Sequence, residues 1–184
     1  ASPFPLLAAV GARTKKIEIG TAVIDMRYEN PLYMAEDAGA ADLISGGRLQ
    51  LGVSRGSPET VVRGYEKFGY TGEDPRGADL AREHFDLFWR AIDGEGIAER
   101  DPNSPFGGGT GLQQIEPQSE GLRSRIWWGA GSRETAEWAG RTGLNLMSST
   151  LVTEADGRPF DILQAEQIDR FPGAFSGGQR QRIG

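Results

Sequence analysis

Four short stretches constrain this chain more than anything else in it. KIEIGTAV (16–23), LQLGV (49–53), RIWWGAG (125–131) and LNLMSST (144–150) read as strands, the first by its alternation and β-branched content. Helix-periodic sequence separates them. Pro31 suits a first helical turn, and Met34, Ala38, Ala41 and Ile44 then recur at spacings of four, three and three until Ser45-Gly46-Gly47 stops the pattern. After the second strand, Ser57 is expected to cap a helix with Pro58 and Glu59 in its first turn. A longer helix is predicted from about Pro75 to Ile92, burying Ala81, Phe85, Phe88 and Ile92. SRETAEWAGRTG reads as a capped helix closed by Gly143, and the opening ASPFPLLAAVGARTKK as the back half of another. Residues 94–121, rich in glycine, proline and polar side chains, read as a long excursion holding a hairpin.

Strands alternating with helices in this rhythm mean βα units and a parallel sheet. Periodicity leaves open whether the sheet is doubly wound or part of a barrel. A dinucleotide fold would place G-x-G-x-x-G after a strand, and Gly129-Ala130-Gly131 lacks the third glycine. With 184 residues, 38% hydrophobic and 25% charged, the chain can form one domain with a real core. A net charge of −6 argues against nucleic-acid partners and anionic membranes. The absence of cysteine excludes disulfides, thiolate nucleophiles and cysteine metal sites. No apolar run approaches the roughly 20 residues of a membrane span, and the start is a poor signal peptide. A cytoplasmic location is therefore expected.

In βα folds ligands collect where strands end and helix N-termini point outward. Two junctions stand out. The first, Ser54-Arg55-Gly56-Ser57, offers a permanent cation, a flexible glycine and a hydroxyl cap; the second, Gly131-Ser132 with Thr135 one turn on, offers another helix start. Together they could grip one phosphate. The plainer alternative is that Ser57 and Ser132 only cap helices and Arg55 pairs with a surface carboxylate.

The run TKKIEIGTAVIDMRYENPLYMAEDAGAADLISGGRLQLGVSRGSPE resembles the luciferase-like family of flavin-dependent monooxygenases and oxidoreductases. The markers are the IGTAV strand, the x-x-P-L-x-x-A-E helix, the S-G-G-R-L turn and the L-G-V-x-R-G strand end. RIWWGAGSRETAEWAGRTGLNLMSS is similar to a later strand and helix of that family, so the likeness spans residues 1–168. It implies a partial TIM (β/α)8 barrel with parallel strands, about strands three to six. It also implies that Arg55, with Ser54, Gly56 and Ser57, binds the phosphate of flavin mononucleotide (FMN), and that Gly131, Ser132 and Thr135 complete the cradle. Ala22 and Val23 match the strand end that lies against the flavin ring, where the family often carries a non-proline cis peptide. The implied activity uses reduced FMN and oxygen on a small organic substrate, with a deazaflavin-dependent dehydrogenase as the alternative within the same barrel. A flavin reductase and a homodimer are the implied protein partners.

A complete barrel runs to about 250 residues, so the chain is expected to be a fragment with exposed sheet edges. The histidine that some members place near the flavin comes from a part not present here, and His84 is expected at the surface. Of Trp127 and Trp128, one is expected to face the barrel interior and one the helix layer. Asp25, Glu29 and Asn30 read as a solvated loop, and PFGGGTG (105–111) lacks the Gly-Lys-Ser/Thr of a phosphate loop. The last stretch, RFPGAFSGGQRQRIG (170–184), resembles the signature segment of ABC-transporter ATPases, in which Ser176, Gly177 and Gly178 meet a nucleotide phosphate. That likeness carries a second functional alternative, a nucleotide-binding or regulatory fragment. Lacking a phosphate loop, residues 169–184 are expected to be a disordered or short helical tail, exposing Phe171 and Phe175.

Overall fold

A computed structural model describes residues 2–56, 59–151, 156–174 and 181–183. In chain order the elements are α1 (Phe4–Arg13), β1 (Ile19–Asp25), α2 (Pro31–Ser45), β2 (Leu49–Ser54), α3 (Ala78–Ile92), β3 (Ala98–Glu99), β4 (Leu112–Gln113), β5 (Ile126–Ala130), α4 (Arg133–Thr142), β6 (Asn145–Ser148), α5 (Phe160–Ala174) and β7 (Gln181–Ile183). The main sheet runs β1-β2-β5-β6-β7 with every neighbouring pair parallel. β3 and β4 form the expected antiparallel hairpin in the long excursion. The strands follow one another in chain order without a switch point, as in one half of a βα barrel.

Local chemistry sets the element ends. The Asn30 side chain accepts from the Leu32 and Tyr33 amides, both at 3.1 Å, and Pro31 occupies the first helical position of α2. Gly46 ends that helix at φ 70, a left-handed conformation that suits glycine. β2 is buried at all six positions because helices cover one face and the sheet interior the other.

The two tryptophans divide as expected. Trp127 turns inward and its indole N–H donates to Gln50 Oε1 at 2.7 Å. Trp128 turns to the helices, where its ring meets Phe85 edge-on at 4.9 Å and Trp138 at 4.8 Å. At the amino ends of the strands a polar network knits the chain together, although Arg125 Nε stays buried without a hydrogen-bond partner among the described residues. The fully buried Asp42 carboxylate accepts from the Leu49 amide (3.0 Å), the Ser119 hydroxyl (2.7 Å) and the Arg125 guanidinium (2.6 Å). Arg48 donates to the carbonyls of Gly11, Thr14, Ile17 and Ser45 and to the Thr14 hydroxyl.

Several expectations need correction. Residues 59–63 do not start an α-helix; Glu59 instead accepts hydrogen bonds from Arg27 and from the Tyr28 hydroxyl, and a 3-10 turn follows at Gly64–Phe68. The two residues before it, Ser57 and Pro58, lie outside the described residues. His84 is buried, not superficial: its Nδ1 lies 2.8 Å from the Met26 carbonyl, and its ring meets Tyr70 edge-on. Helical geometry explains this, because His84 sits three residues from Ala81 and four from Phe88, on the buried stripe, while its charged sequence neighbours point elsewhere. Phe171 is also buried, one turn beyond the buried Gln167 on α5. Residues 169–174 thus continue α5, and 181–183 pair with β6, adding a fifth strand to the four expected. Phe175, Ser176, Gly177 and Gly178 lie outside the described residues.

Candidate functional site

A cleft of about 480 Å³ opens at the carboxyl ends of β1, β2, β5 and β6. Of the nine residues singled out from the sequence, eight line it: Ala22 and Val23; Ser54, Arg55 and Gly56; Gly131, Ser132 and Thr135. The ninth, Ser57, lies outside the described residues. Stretches more than 70 residues apart in the chain therefore meet at one place.

Each wall has its own cause. On β1 the pairing with β2 shifts between Thr21 and Ile24, so Ala22 and Val23 leave the ladder, and the peptide between them is cis. Val23 is partly exposed on the cleft wall. Opposite it lies Gly129, where an added Cβ would come within 3.1 Å of the Val23 side chain and narrow the cleft. At the end of β2 the Ser54 hydroxyl accepts from the Gly56 amide at 3.1 Å, turning the chain sharply. Gly56 has φ 86, and a Cβ there would collide with the Arg27 guanidinium. That turn projects Arg55 into the open, where it forms no hydrogen bond or ion pair among the described residues.

The fourth wall is the start of α4. Ser132 caps the helix: its oxygen accepts from the Thr135 amide at 3.2 Å, and its hydroxyl donates to Thr135 Oγ1 at 2.8 Å. The capping half of the plainer alternative therefore holds for Ser132, and the ion-pair half does not hold for Arg55 among the described residues. A cation unpaired among the described residues and the positive end of a helix line the same cleft, an arrangement complementary to an anion.

The sequence reading missed part of the lining. Met147, Ser148, Ser149, Thr150 and Leu151 carry β6 into the cleft, and Asp25 closes its edge. Their position at strand ends was the available signal. Ser148 donates to Gln167 Oε1 at 2.5 Å, and Gln167 donates to the Ala130 carbonyl at 3.1 Å, so α5 ties the ends of β5 and β6 together.

Asp25 does not sit in a solvated loop. Its carboxylate takes a two-pronged contact from the buried Arg27, with Nε at 2.9 Å and Nη2 at 2.5 Å. That hydrogen bond holds the Arg27 pKa above its ordinary value, against the opposing effect of burial. Arg27 also bonds Glu59, and the Tyr28 hydroxyl donates to Glu59 at 2.6 Å, which pushes the tyrosine pKa up to about 12. The network fastens the stretch after β2 to the end of β1.

The sequence profile of the luciferase-like monooxygenases matches residues 1–160, and the chain belongs to that family. Among curated relatives, 4-hydroxyprotoasukamycin monooxygenase of Streptomyces nodosus subsp. asukaensis is 33% identical over 97 residues, 51% of this chain and 24% of the relative. The F420-dependent glucose-6-phosphate dehydrogenase of Kribbella flavida is 33% identical over 147 residues, 77% of this chain and 41% of the relative. A similar solved structure is the oxygenating constituent of 3,6-diketocamphane monooxygenase from Pseudomonas putida, in complex with FMN. It superposes with a TM-score of 0.63 at 15% identity, over 98% of this chain and 49% of that one. The chain thus spans about half, or less, of the length of the proteins it matches. The family profile ends before the ABC-like tail, so the ATPase alternative gains nothing from it.

Proposed function

We propose that the cleft binds FMN as part of a flavin-dependent monooxygenase acting on a small organic substrate. The observation that carries this reading is the convergence of eight residues from three distant stretches on one cleft, with Arg55 on its lining and unpaired among the described residues. In this reading Arg55 and the Ser132–Thr135 start of α4 hold the phosphate, with Ser54 and Gly56 shaping the turn and Ser57 and Gly131 beside it. Ala22 and Val23 back the flavin ring. A bound reduced flavin would supply the oxygen chemistry. The chain itself contributes orientation and exclusion of water: Gly129 leaves room for a planar group, and Met147 and Leu151 give an apolar wall.

A separate flavin reductase is the proposed source of reduced FMN, since the Pseudomonas putida relative is described as an oxygenating constituent. Pairing into a homodimer is proposed through α2, whose Tyr33, Leu43 and Ile44 are exposed. The second reading is a deazaflavin cofactor, favoured by the Kribbella flavida relative. No helix among the described residues is long and apolar enough to cross a membrane.

Calorimetry of the chain against FMN, the deazaflavin F420 and Mg-ATP tests the proposal. Saturable heat from FMN is expected. Heat from F420 alone would move the assignment to the dehydrogenase reading, and heat from ATP alone would overturn both.

A further inference from the structure

Arg27 does not line the cleft, yet it packs against the turn that carries Arg55. Its guanidinium makes the two-pronged contact with Asp25, bonds Glu59 and donates to the Arg76 carbonyl at 3.0 Å. Two glycines leave it room: a Cβ on Gly56 would fall on the guanidinium, and one on Gly77 would come within 3.0 Å of its stem. The side chain is only 7% exposed, so it is enclosed by the end of β1, the turn after β2 and the approach to α3. The two carboxylates it holds flank Arg55. Asp25 pairs in register with Ser54, the residue before Arg55, and lines the same cleft. Glu59 follows Arg55 in the chain after one short turn. Their side chains are 28% and 23% exposed, so neither is sealed off from a second cation. Two carboxylates against one guanidinium also leave negative charge in excess, beside the cation proposed to meet a phosphate.

We propose that Arg27 is a positioning residue for the cofactor phosphate: by engaging Asp25 and Glu59, it keeps both carboxylates off Arg55. Without it, Arg55 has two anionic partners at hand, and an ion pair with either holds its guanidinium back from a ligand. A charge already paired must lose that partner before it meets the phosphate, and this weakens binding. Asp25 left uncompensated on the cleft wall also repels the phosphate directly. A forked guanidinium suits the task, because it grips carboxylates in a fixed geometry that a point charge does not provide. This inference rests on the proposed flavin site. The competing role is scaffolding, in which Arg27 only braces the turn after β2 against the end of β1.

Fluorescence titrations of the full chain with FMN and with riboflavin, which lacks the phosphate, separate the two roles. Arg27→Met is expected to weaken FMN about tenfold, the lower end of what a charge-assisted contact contributes, and to leave riboflavin unchanged. Arg27→Met combined with Asp25→Asn and Glu59→Gln removes the cation together with both carboxylates, and should recover most of the lost FMN affinity. Scaffolding predicts no such recovery, since the combined variant braces the turn no better than the single one. Arg27→Gln carries the same expectations as Arg27→Met should the latter not fold. Unchanged FMN affinity without Arg27 overturns the inference and leaves the flavin site standing. Equal weakening of both flavins, or an FMN loss that persists in the combined variant, assigns Arg27 to scaffolding and also overturns it. If the unaltered chain does not prefer FMN over riboflavin, the phosphate site and this inference fall together.

Discussion

The two ends of the sheet are built from similar residues put to opposite use. At the amino ends, Asp42 is wholly buried yet satisfied three times over, and Arg48 spends its donors on four carbonyls and a hydroxyl. At the carboxyl ends, Arg55 has no polar partner among the described residues, Arg82 keeps a buried unpaired nitrogen, and the cap at Ser132 faces an open cleft. The Asp42 and Arg48 networks are turned inward and stabilise the fold. A cation and a helix start left open on a cleft wall are the kind of feature that a ligand would satisfy. Each end keeps a buried donor without a partner among the described residues, Arg125 Nε at one and Arg82 Nη1 at the other; the carboxyl end differs in the exposed Arg55 on the lining of an open cleft.

The largest expected effect lies at the amino end. Asp42→Ala strands the Arg125 guanidinium, which is mostly buried, and should lower unfolding free energy by about 3–5 kcal/mol. Urea denaturation would measure this, and FMN affinity of the folded fraction should not change. A loss under about 1 kcal/mol would mean the Asp42 network is weaker than its geometry implies. Ser132→Ala acts on both properties at the other end. Removal of the cap should cost about 1 kcal/mol of stability. It should also weaken FMN roughly threefold, through one lost hydroxyl contact. A stability loss with unchanged FMN affinity would return Ser132 to a purely structural role.

The smallest effect concerns the Tyr28–Glu59 contact at the cleft edge. Tyr28→Phe should cost under about 1 kcal/mol near neutral pH, since the pair is largely exposed. The sign of its pH dependence is fixed. The unfolded tyrosine ionises near pH 10, and the folded one is raised to about 12 by its bond to Glu59. The stabilisation is therefore complete below about pH 10 and disappears as pH rises through about 12. Stability curves of the two proteins should converge over that interval. A constant offset would show that the hydrogen bond does not set the tyrosine pKa.

Much of this was legible in the sequence, and the gaps have physical causes. Strand and helix periods gave β1, β2, β5, β6 and their order, because those signals are local. The two tryptophans sorted onto opposite faces for the same reason. His84 and Phe171 were misread because their immediate neighbours were weighed instead of their helical neighbours three and four residues away. The Glu59 contact was illegible: it depends on Arg27, 32 residues earlier, being buried and oriented by Asp25. Arg82 was missed likewise, since its setting comes from Trp128 and Trp138 on two other elements. Residue types at strand ends marked the cleft, but which side chains stay unpaired is a tertiary fact.

The central claim is that the open end of the sheet is a phosphate-gripping flavin site, and Arg55 is its most direct handle. Fluorescence titration of FMN into the full chain and into Arg55→Ala tests it. A charge-assisted contact to phosphate is worth about 1.5–3 kcal/mol. Arg55→Ala should therefore weaken FMN by about 10- to 100-fold, and its thermal midpoint without ligand should match that of the unaltered chain. Equal FMN affinity in the two proteins would contradict the account.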